Sequence, residues 1–245
     1  MNGGGLYPRR FNLLIPNPGA CDTIKRKTAQ YIGGKEVLQG KTPVVSQAVV
    51  RRLPIYLRYL QQLQAREVDT VSSQEMGRDL DINPAQIRKD LAYFGEFGRK
   101  GIGYHVPYLI EKIRQILKLD RDLPVALVGA GHLGIALSNY SRLRRSELAI
   151  AAIFDKDPRK IGLAVAGLTV QGMDDFETRV REQGIRIGIV AVPASEAQAV
   201  ANRMVEAGIV GILNFAPATL RTPPTVHVRY SDVTSELQAL AYYVR

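Results

Sequence analysis

The chain has 245 residues, is 46% hydrophobic and carries one cysteine, Cys21. That length holds two modest domains or one large one, and a lone thiol excludes an internal disulfide or a cysteine-based metal cluster, as suits a reducing cytosol. The net charge is +10, but residues 1–43 carry seven Lys/Arg against two Asp/Glu, so half of the excess precedes any predicted domain and says little about a nucleic-acid partner.

No apolar run approaches the roughly 18 residues of a membrane helix. The N-terminus lacks a charged stretch followed by an apolar core and a cleavage site, so a cytoplasmic protein without a membrane partner is expected. Residues 1–43 combine three consecutive glycines, several prolines and scattered basic residues without periodicity. They read as a disordered tail or a translation start placed too early, with a non-specific phosphate-binding arm as the sharper alternative.

From Ser46 the pattern changes. Leu53, Ile55, Tyr56, Leu57, Tyr59, Leu60 and Leu63 form an apolar face at helical spacing. Pro54 is expected near the start of that helix, with Arg51 and Arg52 ahead of it. Ser72 or Ser73 caps a second helix, with Glu75 close behind and Met76 and Leu80 turned inward. Asp81-Ile82-Asn83 forms a tight turn, after which Asn83 caps a third helix and Pro84 takes its first position. That helix ends near Gly95. Residues 98–106 then suggest a hairpin with a basic tip, and Pro107 opens a further helix through Leu119.

Asp120-Arg-Asp-Leu-Pro124 is a polar linker, and beyond it strands and helices alternate. Strands are expected at 125–128, 149–154, 186–192, 209–214 and 225–229, and helices near 132–143, 173–183 and 194–207. Such alternation implies a parallel sheet with crossover helices. Ser231–Arg245 reads as a last helix with Val233, Leu237, Leu240 and Ala241 on its apolar face.

Val125-Ala-Leu-Val-Gly-Ala-Gly-His-Leu-Gly134 is an apolar strand that feeds a G-x-G-x-x-G turn. In such a turn Gly129 permits the sharp bend and Gly131 lets the backbone approach a pyrophosphate, with Ala130, His132 and Leu133 between and beside them. Gly134 lets the following helix pack closely, and its N-terminus faces the phosphates. The second strand ends in Asp155, where a carboxylate accepts hydrogen bonds from an adenine-ribose diol and favours NAD(H) over its 2′-phosphorylated form. Lys156 softens that preference. A dehydrogenase would also need a positioned acid or base. His105, His132 and His227 are the only histidines, and no Ser/Tyr/Lys or His/Asp spacing marks a catalytic group. The absence argues against an enzyme.

A recognition helix needs side chains on one face that reach base edges, and neighbours that hold phosphates. Gln86, Arg88, Lys89 and Tyr93 supply the first, while Ile87, Leu91 and Phe94 supply the buried stripe. Arg99 and Lys100 at the hairpin tip suit a wing. The expected architecture is α/β: a winged-helix domain at 44–122, a Rossmann-like parallel-sheet domain at 123–230 and a C-terminal helix at 231–245.

These stretches resemble the Rex family of bacterial redox-sensing transcriptional repressors. The resemblance spans Val44 to Tyr243 and is most specific at Gln86–Gly95, Gly101-Ile-Gly-Tyr104, Val128–Gly134 and Gly211-Ile-Leu-Asn-Phe-Ala-Pro217. It implies a homodimer with a swapped C-terminal helix, binding palindromic double-stranded operator DNA when NADH is scarce and releasing it when NADH rises. It further implies that Arg88 and Lys89 are recognition-helix contacts and that Arg52 is an additional DNA contact. By the same resemblance Tyr140, counted with the cofactor site, and Asp232 are expected to pair across the dimer, with Arg58 as the alternative partner of that aspartate. The family often has an aromatic residue after the aspartate, where this chain has Val233. The rival readings are an NAD-dependent oxidoreductase with an accessory helical domain and, more distantly, an interaction module on a Rossmann scaffold.

Overall fold

Four helices around a small sheet begin the structure, a computed structural model that describes residues 45–99, 101–144 and 148–244. Within it Gln47–Arg245 is one compact unit. The first helix, α1 (Gln47–Gln64), buries Val49, Leu53, Tyr56, Leu57 and Leu60 along one stripe. It starts well before Pro54, so Arg51 and Arg52 lie within the helix rather than ahead of it. Pro54 is tolerated there because it and Val50, whose carbonyl loses its helical N–H partner, both face outward, where water replaces the missing donor.

Strand β1 (Thr70–Val71) leads into α2 (Ser73–Leu80). The Ser72 side chain accepts from the Glu75 N–H while the Glu75 carboxylate accepts from the Ser72 N–H, a reciprocal cap that fixes where α2 starts. Asp81 ends α2 in the left-handed region at φ 53°, and Asn83 then caps α3 (Pro84–Ala92) through the Ala85 N–H at 2.8 Å. Strands β2 (Gly98–Arg99) and β3 (Gly103–His105) form the expected hairpin, and β1 pairs with the other side of β3. Helix α4 (Val106–Ile116) follows. Leu53, Tyr56, Leu60, Met76, Ile87, Leu91, Leu109 and Ile113 share one core. Each such side chain is worth roughly 1.5–3 kcal/mol on burial. This is a helix-turn-helix with a hairpin wing.

The rest of the chain alternates β4 (Leu123–Val128), α5 (His132–Arg144), β5 (Leu148–Asp155), β6 (Ala164–Val165), β7 (Leu168–Gly172), α6 (Phe176–Glu182), β8 (Ile187–Val190), α7 (Ala194–Glu206), β9 (Gly211–Asn214), β10 (His227–Tyr230) and α8 (Val233–Ala241). The sheet order is β10-β9-β8-β4-β5-β7-β6, parallel throughout except that β6 pairs antiparallel with β7. Ala126, Val128, Ala152 and Phe154 pack on one side of the sheet, and Leu127 and Ile153 on the other. That alternation is the two-residue period of strands covered on both faces. The strand order reverses between β4 and β8, the switch point at which such sheets open a ligand crevice.

Sequence pattern alone left β6 and β7 out. They are joined by a two-residue turn in which Ala166 and Gly167 both have positive φ, 53° and 82°. Alanine is not among the residues that signal such a turn, so the hairpin gives no warning in the sequence.

Candidate nucleotide and nucleic-acid sites

The carboxyl end of β4 delivers the chain into the glycine turn. Gly129 has φ 109°, and a Cβ there would strike the carbonyl oxygen of Ala191 on the segment after β8. A Cβ on Gly134 would strike the carbonyl of Gly129, so no side chain fits between α5 and the turn. Gly131 behaves differently: a Cβ there meets nothing within 4 Å. Its open side belongs to a cavity of about 330 Å³ whose lining includes Gly129, Gly131, Asp155, Lys160, Val192 and Pro193. Two glycines are therefore required by the protein's own backbone, and the third leaves room for something else.

Asp155, only 6% exposed, ends β5 beside this turn. Its Oδ2 accepts from the Ala130 N–H at 2.7 Å and from Lys160 Nζ at 2.9 Å, and its Oδ1 accepts from the Asp157 N–H at 2.9 Å. Burial acts to raise its pKa, but the Asp157 N–H, the Lys160 ammonium and the Ala130 N–H together hold it below the ordinary value. A carboxylate has about four acceptor positions, so the ionised group retains capacity for a ribose hydroxyl. Lys156 is turned to Glu196 at 2.7 Å. The open side of Gly131, the N-terminus of α5 and an ionised carboxylate fit a dinucleotide such as NAD(H), whose phosphates the turn would hold and whose adenine ribose Asp155 would hold.

His132 and Leu133 lie exposed on the first turn of α5, Ala130 is buried, and Tyr140, two turns further along, is 56% exposed. Asn214 was not singled out from sequence. It is buried at the end of β9, where its amide donates to the carbonyls of Ala216 and Ala218 and its Oδ1 accepts from the Ala216 N–H. It thereby fixes the loop that follows β9. The Asn-Phe-Ala-Pro run holds the signal, though only as a string.

On α3 the structure divides the expected DNA contacts into two sets. Arg88, Lys89 and Tyr93 are exposed, with Arg88 Nη1 donating to Ser73 Oγ at 3.0 Å at the start of α2. Gln86 and Arg52 instead converge on Asp90, which is fully buried. Arg52 donates from Nε at 2.6 Å and from Nη2 at 2.9 Å, Tyr56 donates its hydroxyl at 2.8 Å, and Gln86 donates its amide at 2.6 Å. Burial works to raise the Asp90 pKa, yet the Arg52, Tyr56 and Gln86 donors keep it lowered. The Arg99 backbone is in β2, while its side chain and Lys100 fall outside the described residues, as does the 1–43 segment.

The remaining expected residues are spread along the chain. Arg58 is exposed on α1 and lines a groove of about 500 Å³ with Tyr59, Arg66 and Asp79. Asp232 caps α8, accepting from the N–H groups of Thr234 and Ser235 and from the Ser235 hydroxyl at 2.6 Å. No residue of α8 is buried. Among the described residues no group of His, Cys, Asp or Glu could hold a metal ion, and no helix is long and apolar enough to cross a membrane.

Two family models match the chain: a putative DNA-binding protein N-terminus over residues 44–92 and a CoA binding domain over residues 120–218. The redox-sensing transcriptional repressor Rex of Brevibacillus brevis is 58% identical over 200 residues, which cover 82% of this chain and 97% of that protein. The chain belongs to the Rex family. The Rex repressor of Roseiflexus sp. is 49% identical over 80% of this chain and 89% of its own length. A crystal structure of the Rex-family repressor RSP with β-NAD+ and operator DNA matches with a TM-score of 0.76 at 37% identity, covering 82% of this chain and 93% of that one. RSP with β-NADH matches with a TM-score of 0.74 at 36% identity over 82% and 94%. The Rex relatives are repressors, so the chain is a regulator rather than an oxidoreductase.

Proposed function

We propose that this Rex-family chain is a cytoplasmic, homodimeric repressor that binds palindromic operator DNA and leaves it when NADH occupies the glycine turn. One observation carries the reading: a single chain holds both a crevice over an open glycine turn at a sheet switch point and a capped helix with Arg88, Lys89 and Tyr93 exposed. Residues 44–122 serve as the DNA-binding domain, 123–230 as the NAD(H) domain, and 231–245 as the helix exchanged between subunits. The exchange is supported by α8 itself, whose Val233, Leu237 and Leu240 are 59–65% exposed. An amphipathic helix gains most of its stability by covering such a face.

In this scheme NADH binds the DNA-incompetent arrangement better, so the two ligands oppose each other by linkage. A dimer reading a palindrome must hold its two recognition helices about one helical turn apart, or a multiple of it, and a change of subunit arrangement breaks that spacing. Asp232 is the switch charge, paired with Arg58 in one state and with Tyr140 in the other. Operator DNA bound to the purified protein is to be titrated separately with NADH and NAD+. Release by NADH at far lower concentration than by NAD+ is expected, and equal response to both, or to neither, would sink the proposal.

A further inference from the structure

Asp90 is an anomaly on a helix read as a DNA-binding surface. It is an acid, it is fully buried, and it takes four hydrogen bonds from three residues. Arg52 and Tyr56 stand one turn apart on α1, and Gln86 and Asp90 one turn apart on α3. The two pairs close into a polar clamp between the helices. Arg52 contributes a bidentate fork, which fixes direction as well as distance. The four bonds use the acceptor capacity of one carboxylate, so a roll of α3 against α1 strains them at their buried end, where the fully buried Asp90 and its bond from Tyr56 have no water to turn to.

Two consequences follow from this clamp. Arg88, Lys89 and Tyr93 project from the same short helix, so its rotation decides where they point. The Arg52 guanidinium, which the family resemblance offers as an additional DNA contact, has its charge neutralised by Asp90 at 2.6 Å. We infer that Asp90 is a positioning residue for operator recognition: through Arg52, Tyr56 and Gln86 it sets the rotation of α3, and it withholds the Arg52 charge from indiscriminate phosphate binding. This rests on the DNA-binding reading of α3.

The test measures affinity for operator and for random duplex DNA across a salt series, in wild type, Asp90→Asn, Arg52→Gln and Tyr56→Phe. The ratio of the two affinities is the readout. Simple destabilisation lowers the active fraction equally on both DNAs and leaves that ratio unmoved. Asp90→Asn is expected to reduce the ratio by about tenfold or more, the scale of one lost base contact. Its affinity for random DNA should hold or rise, with a salt slope at least as steep, because a cation has been released. Arg52→Gln should lower the ratio without changing the slope.

Tyr56→Phe removes one hydroxyl and keeps the packing, so it covers the case in which Asp90→Asn does not fold; a smaller fall in the ratio is expected. An unchanged ratio in Asp90→Asn, or in Tyr56→Phe where that protein is the one that folds, would overturn the inference. So would an Arg52→Gln protein that keeps the ratio and loses about one unit of slope, since Arg52 would then be a phosphate contact. Failure of the wild type to prefer the operator would instead remove the DNA-binding reading beneath it.

Discussion

At the Gly129–Gly134 turn the working groups are backbone atoms, whereas on α3 they are side chains at the ends of flexible stems. A missing Cβ is a property of the sequence, so the turn declares itself in the string and the structure only confirms which glycine serves which neighbour. A cation on a helix declares nothing about where it points. Arg52 and Arg88 look alike in the sequence, yet one is clamped to a buried carboxylate and the other is exposed. Backbone-built sites can be read from spacing, while side-chain-built sites need the fold.

Substitutions in the two regions should therefore fail in different ways. The largest effect is expected from Gly134→Val, whose Cβ would collide with the Gly129 carbonyl. Neither backbone can yield, so NADH binding should vanish and the melting temperature should fall. Gly131→Ala places its methyl in open space, so it should keep the wild-type melting temperature and lose NADH affinity. Calorimetric titration alongside a thermal melt separates the two, and undiminished NADH binding in Gly131→Ala would show that no phosphate passes there.

The next largest effect is expected at Asp155, and it depends on pH. Its folded pKa is lowered, so its ionised form stabilises the native state above the unfolded value of about 3.9, and that contribution is lost as pH falls through the lower folded value. Asp155→Asn should thus melt below wild type at neutral pH, and the gap should close in acid below about pH 4. A gap that is constant with pH would assign the cost to packing and not to charge.

Lys89→Ala should leave melting and NADH affinity unaltered. If Lys89 touches a phosphate, the slope of log affinity against log salt should shrink by about one on every sequence. If it touches a base, the loss should appear only on the operator. Unaltered affinity on both DNAs would remove Lys89 from the site.

The smallest effect concerns Asp232, an ordinary helix cap within its own chain. Asp232→Ala should bind DNA and NADH separately almost as wild type does, yet show a reduced release of DNA by NADH. A purely capping role predicts slightly lower stability and a full response.

The sequence made much of the architecture legible. Val125–Gly134 with Asp155 placed the glycine turn and the crevice beside it, and Ser72, Glu75, Asn83 and Pro84 placed the two helix starts, because caps and glycine turns are local chemistry. What it did not show was non-local or unconventional. The β6–β7 turn uses Ala166 in a left-handed conformation, and α1 runs through Pro54 because Pro54 and Val50 lie on its exposed side, open to water. The Asp90 clamp joins residues 34 and 38 positions apart, a pairing that no helical periodicity encodes.

The central claim is that one chain couples the two ligands, and reciprocity tests it most directly. Operator affinity is to be measured with and without saturating NADH, and NADH affinity with and without saturating operator. Linkage requires both ratios to be the same factor, typically about 5–150-fold for a coupled pair of sites. Equal factors well above one are predicted, and a factor of one in both measurements would contradict the account.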